Sequence, residues 1–313
     1  LILRSVLAER SGDLMSALAL ASEASIRGKD SAKAKARVAR VHLAMGDQVR
    51  AEKECAGLLA GGQDDPEALH IMMEIQARKG DNVSVISTCR KILDQDPGDV
   101  GTLIELARAQ ALTGDVAGAS ESAHRAVRAD GSHGTYIRAL SALLSAGPNP
   151  DASYLCREAE TRFPGDPAVR RIRGNMEFAN GDYLRASATF ASAASEAPGD
   201  PVLWYSKGMS DEARGDLESA EDAYDRALAI DPDEPEYWIS KAAVREACGD
   251  DVGALRALRC ASELDRKRTY PLVRMAMINE RRGMLWEAAH ILGIATRMDP
   301  SNERIRDEYS RMR

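Results

Sequence analysis

Small and apolar residues return along this chain on a fixed beat. In the stretch 215–235, GDLESAEDAYDRALAIDPDEP, Ala220, Tyr224, Ala227, Leu228 and Ile230 fall three, four or seven apart, the spacing that gathers side chains on one face of an α-helix. Aligned on glycine, the chain repeats at Gly12, Gly46, Gly80, Gly114, Gly147, Gly181, Gly215, Gly249 and Gly283, with steps of 34 residues and one of 33. Five residues after each glycine stands Ala17, Ala51, Val85, Ala119, Ala152, Ala186, Ala220, Ala254 or Ala288. Asp follows the glycine in seven units, and a proline closes several of them, at Pro97, Pro164, Pro198, Pro232 and Pro300.

Each mark has a physical task in a pair of antiparallel helices. Glycine past a helix end takes up the left-handed conformation without the Cβ penalty, and the Asp beside it caps the exposed N–H groups of the next helix. The small residue one turn later lets two backbones approach closely. The downstream proline ends the second helix, because it cannot continue the hydrogen-bond ladder. Each unit is therefore predicted to be a helical hairpin, and a regular period predicts hairpins stacked in line rather than around one central core.

On these residues the chain resembles a tetratricopeptide repeat array. The fullest unit spans 201–234, where Trp204, Gly208, Gly215, Ala220, Tyr224, Ala227 and Pro232 fall on the family's signature positions. Trp238, Ala242, Gly249, Ala254, Leu258 and Ala261 repeat the pattern in the next unit, and Leu272, Ala276, Gly283, Ala288, Leu292, Ala295 and Pro300 in the one after. The resemblance implies an all-α, right-handed α-solenoid (superhelix) of about nine helix-turn-helix units over 1–313. Their expected bounds are 1–30, 31–65, 66–99, 100–132, 133–166, 167–200, 201–234, 235–268 and 269–300, with a capping helix over 301–313. The early units depart from the signature, with Cys55 and Cys89 where an aromatic is usual, Val85 replacing alanine, and Gly61-Gly62 where the second unit should finish. The fifth is one residue short and turns through AGPNPD, which predicts a local irregularity.

Composition adds limits. A net charge of −7 with mixed signs carries no basic stripe for nucleic acid. No run of about 20 apolar residues and no signal peptide is present, so neither a membrane partner nor secretion is expected, and the reading is cytoplasmic. The chain opens LILRSVLAERSGD without methionine, already inside a first helix, which leaves open an N-terminal region carrying a targeting, anchoring or catalytic part. The five cysteines form no C-x-x-C pair. Cys55, Cys89 and Cys156 share one repeat position and read as packing residues. The five histidines have no ligand spacing, with His70 alone on the expected inner surface, and every glycine is used by turns or packing. No catalytic residue, cofactor or metal is expected, and Asn82-Val83-Ser84 reads as a chance sequon.

The family resemblance implies a concave groove lined by the first helix of each unit, which takes up a peptide or helix of a partner. Counted from the glycine turns, the groove residues expected in units six to nine are Phe178, Tyr205, Met209, Glu212, Ile239, Glu246, Val273, Met277 and Glu280. They would set a row of three carboxylates beside an apolar wall, fitting an apolar, basic segment. A second, basic stretch comprises Arg40, Arg108, Arg138, Arg171 and Asn175. Solvated glutamates, and Met or Ile packed on the adjacent helix, are the plainer alternative for the first set, and solvated surface for the arginines. Arg171 and Asn175 match the start of the family's carboxylate clamp, but Ser206, Glu236 and Ser240 depart from the rest of it. No asparagine ladder of the sugar-transferring superhelix is present. The expected function is a non-enzymatic scaffold or adaptor that binds protein. Two alternatives stay open: the recognition arm of a larger enzyme, and self-assembly through the terminal helix RIRDEYSRMR.

Overall fold

The computed structural model describes residues 1–27, 31–60 and 64–312. Gly61 and Gly62, expected to finish the second unit, lie outside the described residues. Among the described residues every regular element is helical. They form two compact units, Leu1–Ala159 and Glu160–Arg313.

In the first unit the hairpins are α1 (Ile2–Arg10) with α2 (Leu14–Arg27), α3 (Ser31–Ala44) with α4 (Gln48–Leu59), α5 (Pro66–Arg78) with α6 (Asn82–Gln95), and α7 (Val100–Leu112) with α8 (Val116–Ala129). Then follow α9 (His133–Leu143) and α10 (Pro150–Arg162), whose last residues belong to the second unit. The second unit continues with α11 (Pro167–Ala179) and α12 (Tyr183–Glu196), α13 (Pro201–Ala213) and α14 (Leu217–Ile230), α15 (Pro235–Ala247) and α16 (Asp251–Leu264), and α17 (Tyr270–Arg281) and α18 (Leu285–Met298). Last comes α19 (Glu303–Met312). Each is a solenoid of helix-turn-helix pairs in which α1 to α8, and α11 to α18, each pack on the helix that follows.

The turn at 215 shows why the glycine recurs. Gly215 sits at φ 85°, where its N–H donates to Glu212 O at 2.9 Å and the next N–H, of Asp216, donates to Asp211 O at 2.9 Å. This closes the last turn of α13. The Asp216 carboxylate then accepts from Ser219 N at 3.2 Å, capping α14. All nine residues five places beyond the glycine are buried, because there the two helices of a hairpin meet. The fifth hairpin breaks this frame: a 3-10 turn over Leu144–Ala146 leads into Gly147 at φ 115° and ψ −164°, and the Asn149 side chain accepts from Asp151 N instead.

Across several hairpins a further pair of positions, 16 residues apart, packs by complementary size. A Cβ on Gly208 would lie 2.5 Å from the Tyr224 ring, and one on Gly174 2.7 Å from the Phe190 ring. Where the aromatic is missing, the facing residue is no longer glycine. Cys89 Sγ lies 3.3 Å from Met73 Sδ, Cys55 shares a cluster with Ala39, and Leu258 shares one with Ala242. The cysteines thus fill space that an aromatic fills elsewhere. Burial pushes the Cys55 thiol up to about 11 and that of Cys89 to about 12, which leaves both protonated and unreactive near neutrality.

Candidate protein-interaction surface

In the second unit the first helices of successive hairpins are neighbours: α11 touches α13, and α13 touches α15. Arg274 and Arg281 of α17 reach Glu246 of α15. The expected groove residues lie along these helices. Phe178 is half-buried, packed beside Ala186 and Phe190, with its ring edge-on to Tyr183 at 5.2 Å. The Tyr205 ring lies 4.9 Å from Tyr237 and 5.7 Å from Tyr224, and its hydroxyl accepts from Ser240 Oγ at 3.3 Å. Met209 packs on the cluster of Ala220, Tyr224 and Val244, and Val273 on that of Ala276 and Leu292. Ile239 is half-buried, whereas Met277 is 47% exposed. Met277 lines a cleft of about 360 Å³ with Val273, Glu280, Ile305 and Arg311, so its far wall is α19.

The three carboxylates of the row meet different fates. Glu246 accepts from Arg274 at 2.6 Å and Arg281 at 3.0 Å and is 16% exposed. Glu280 accepts from Arg311 of α19 at 2.9 Å. Glu212 accepts a neutral hydrogen bond from the buried Tyr224 hydroxyl at 2.7 Å. Burial, then the hydrogen bond to Glu212, raises the Tyr224 phenol above its ordinary range. Two members of the row are thus neutralised within the chain. The terminal helix lies on its own last hairpin: Ile305 joins the α17–α18 cluster, and Tyr309 and Met312 pack against it.

In the first unit, Arg40, Arg108 and Arg138 border one cleft of about 660 Å³ together with His70, Glu74, Asp99 and Glu105. Carboxylates interleave with the cations: Arg40 pairs with Glu74 at 2.7 Å, Arg108 with Glu105, and His70 Nε2 lies 3.3 Å from Asp99 Oδ2. The cleft is therefore mixed rather than purely basic. Arg171 and Asn175 are on α11 in the second unit, half-buried and exposed respectively.

Sequence reasoning missed the buried polar ties beneath this surface. Asp211, 0% exposed, accepts from Lys207 at 2.5 Å, Ser187 at 2.6 Å, Ser219 at 2.8 Å and Arg214 at 3.1 Å. It joins α12, α13 and α14. Burial alone would raise its carboxyl, but the bonds from Lys207, Ser187 and Ser219 outweigh that and hold it below the ordinary range. The signal available was the position itself. Gln76, Gln110 and Glu177 stand four before their glycines as Asp211 does, and each accepts from a Thr or Ser 12 residues on, at 2.8, 2.7 and 2.6 Å. Among the described residues no group of three or more His, Cys, Asp or Glu is placed to hold a metal, and no helix is long and apolar enough to cross a membrane.

Two sequence profiles described as tetratricopeptide repeat match the chain, one over residues 138–201 and the other over 177–244. Residues 138–244 therefore carry tetratricopeptide repeats. Among solved structures, the chain is similar to a tetratricopeptide repeat protein from Parabacteroides merdae at 13% identity and a TM-score of 0.56, covering 90% of this chain and 99% of that one. It is also similar to a chain of the APC/C hetero-tetramer Cut9–Hcn1 at 14% identity and a TM-score of 0.51, covering 96% of this chain but only 59% of that one. Yeast Tom70 aligns at 18% identity with a TM-score of 0.47, covering 98% of this chain and 79% of that one. No curated protein matches the sequence. The repeats support a protein–protein interaction scaffold as the class of function.

Proposed function

We propose that the chain is a non-enzymatic adaptor whose first-helix face in the second unit, along α13, α15 and α17, takes up a segment of a partner protein. One observation carries this reading. At the same repeat positions that face leaves Tyr205, Met209, Ile239 and Val273 half-buried and Met277 47% exposed, although the core of every hairpin beneath is closed. Aligned apolar side chains with spare surface are what a docking segment needs as anchors, and methionine adapts to varied partners. Selectivity in this reading does not come from three open carboxylates. Glu246 and Glu280 already hold arginines of this chain, so the segment meets a mostly apolar wall with Glu212 as its uncompensated charge.

A photo-crosslinking side chain at position 277, with a control at the exposed Arg256 on α16, tests this in lysate of the source cell. A partner crosslinked from 277 but not from 256, and lost when Ile239→Lys and Met277→Lys are combined without loss of helicity, is the expected result. Crosslinks from 256 that survive the double substitution would move the binding surface to the second helices.

A further inference from the structure

Glutamate stands three residues before the glycine in four units, as Glu9, Glu212, Glu246 and Glu280. Three of these receive an arginine from this chain. Arg37 reaches Glu9, and Arg274 reaches Glu246 at 2.6 Å, each from 28 residues further on, the same position of the next unit. Glu280 receives Arg311 of α19 at 2.9 Å. For Glu212 the residue 28 further on is Ser240. Among the described residues no Lys, Arg or His stands within ion-pair distance of Glu212. Its carboxylate keeps only the neutral Tyr224 hydroxyl, on Oε2.

We propose that Glu212 and Ser240 form a socket for an arginine side chain of a partner protein, which takes the place that Arg274 takes beside Glu246. This rests on the adaptor reading above and names the chemistry its segment must carry. The socket is furnished for a guanidinium in particular. Glu212 has Oε1 free of any described bond; the Tyr205 ring lies 5.7 Å from that of Tyr224, whose hydroxyl Glu212 holds, and the Ser240 and Tyr205 hydroxyl oxygens, 3.3 Å apart, add acceptors on that side. Five N–H donors in a planar fork can use several such oxygens at once in a fixed geometry, whereas an ammonium is a compact point charge without that fork. Glu212, Ser240, Tyr205 and Met209 are all half-buried, so the charge is partly desolvated yet reachable, the setting in which an ion pair carries selectivity. Met209, three residues before Glu212 on α13, and Ile239, next to Ser240 on α15, fit apolar residues flanking the arginine.

The probe is the acetylated, amidated peptide Leu-Ala-Arg-Ala-Leu and its citrulline counterpart, which keeps the shape and removes the charge. Binding is read by NMR titration of the intact chain. We expect the arginine peptide to bind roughly tenfold more tightly than the citrulline peptide, the size of one charged hydrogen-bonded contact. Glu212→Gln, which keeps the acceptor for Tyr224, should erase that preference. Ser240→Arg should abolish binding by filling the socket from within, and its thermal midpoint should rise or hold. Equal binding of the two peptides, or an arginine preference that survives both substitutions, overturns the proposal. Self-association that disappears in Ser240→Arg would also overturn it, by assigning the arginine to a second copy. If the crosslink from 277 persists in both variants while the arginine preference is absent, the adaptor reading stands and the socket alone fails.

Discussion

In the α13–α14 hairpin a glycine faces a tyrosine, and in the α5–α6 hairpin, at the same two positions of the repeat, a methionine faces a cysteine. The hydrogen-bonding position nearby differs in the same way. Gln76 takes one neutral bond from Thr88, whereas Asp211 gathers two cations and two hydroxyls. Both hairpins close the same interhelical space. In these two hairpins the filled space is divided differently between the two side chains. Such a division explains how early units that lack the aromatic signature still fold as hairpins.

The sharpest way to break the comparison is to exchange the pairs. Tyr224→Cys alone removes a fully buried ring and should cost about 3–5 kcal/mol, the range for emptying a buried aromatic site. Adding Gly208→Met, which by itself would drive a side chain into that ring, should recover at least about 1 kcal/mol of the loss, because contacting residues couple by roughly that much. Urea unfolding of the four members of the cycle measures it. Additive losses would show that glycine at 208 is required for the backbone and not for the tyrosine.

Asp211 tests the charged half of the comparison. Asp211→Asn keeps the shape but leaves Lys207 and Arg214 without their shared counter-ion. The cost should be about 3 kcal/mol, the low end for breaking a buried pair, because Lys207 is 16% exposed. The sign with pH follows from the lowered carboxyl. Its contribution is complete above the unfolded aspartate value of about 3.9 and disappears as pH falls through the lower folded value. Thermal midpoints measured from pH 6 down to pH 2 should therefore converge for wild type and variant at the acid end. A constant gap across that range would mean that packing, not charge, is what the substitution removes.

These relations mark where the sequence stops being legible. Gly215 and Ala220 could be read directly, because a left-handed turn and a close helix contact each restrict one position to one kind of residue. The fifth hairpin could be read for the same reason, since Gly147-Pro148 cannot make the Gly-Asp turn. The pairs Met73–Cys89, Gln76–Thr88 and Glu246–Arg274 are restrictions on two positions taken together, 16, 12 and 28 residues apart, and each member alone looks unremarked. The row Glu212, Glu246 and Glu280 was visible as a row. Its meaning depended on what stands 28 residues further on, a serine for the first and an arginine for the second. A count of glutamates could not separate them.

The smallest expected effect concerns the one turn of the second unit that breaks the Gly-Asp rule without breaking the hairpin. Asp182, Asp216 and Asp250 each cap the following helix by accepting from a backbone N–H three residues on, whereas Met284 begins α18 with no side-chain cap. Ala288 nevertheless sits fully buried at its usual place, so packing alone holds the start of α18. Met284→Asp should add the missing acceptor and stabilise by about 1 kcal/mol, the usual worth of an N-cap. In a stacked chain such a gain is local, so it is best read as slower amide exchange in the first turn of α18 rather than as a shift of the whole melting curve. Unchanged exchange there would show that the turn at Gly283 cannot bring a carboxylate onto those amides. The Asp that follows the other glycines would then owe its effect to the path of the chain into the helix, and not to its side chain alone.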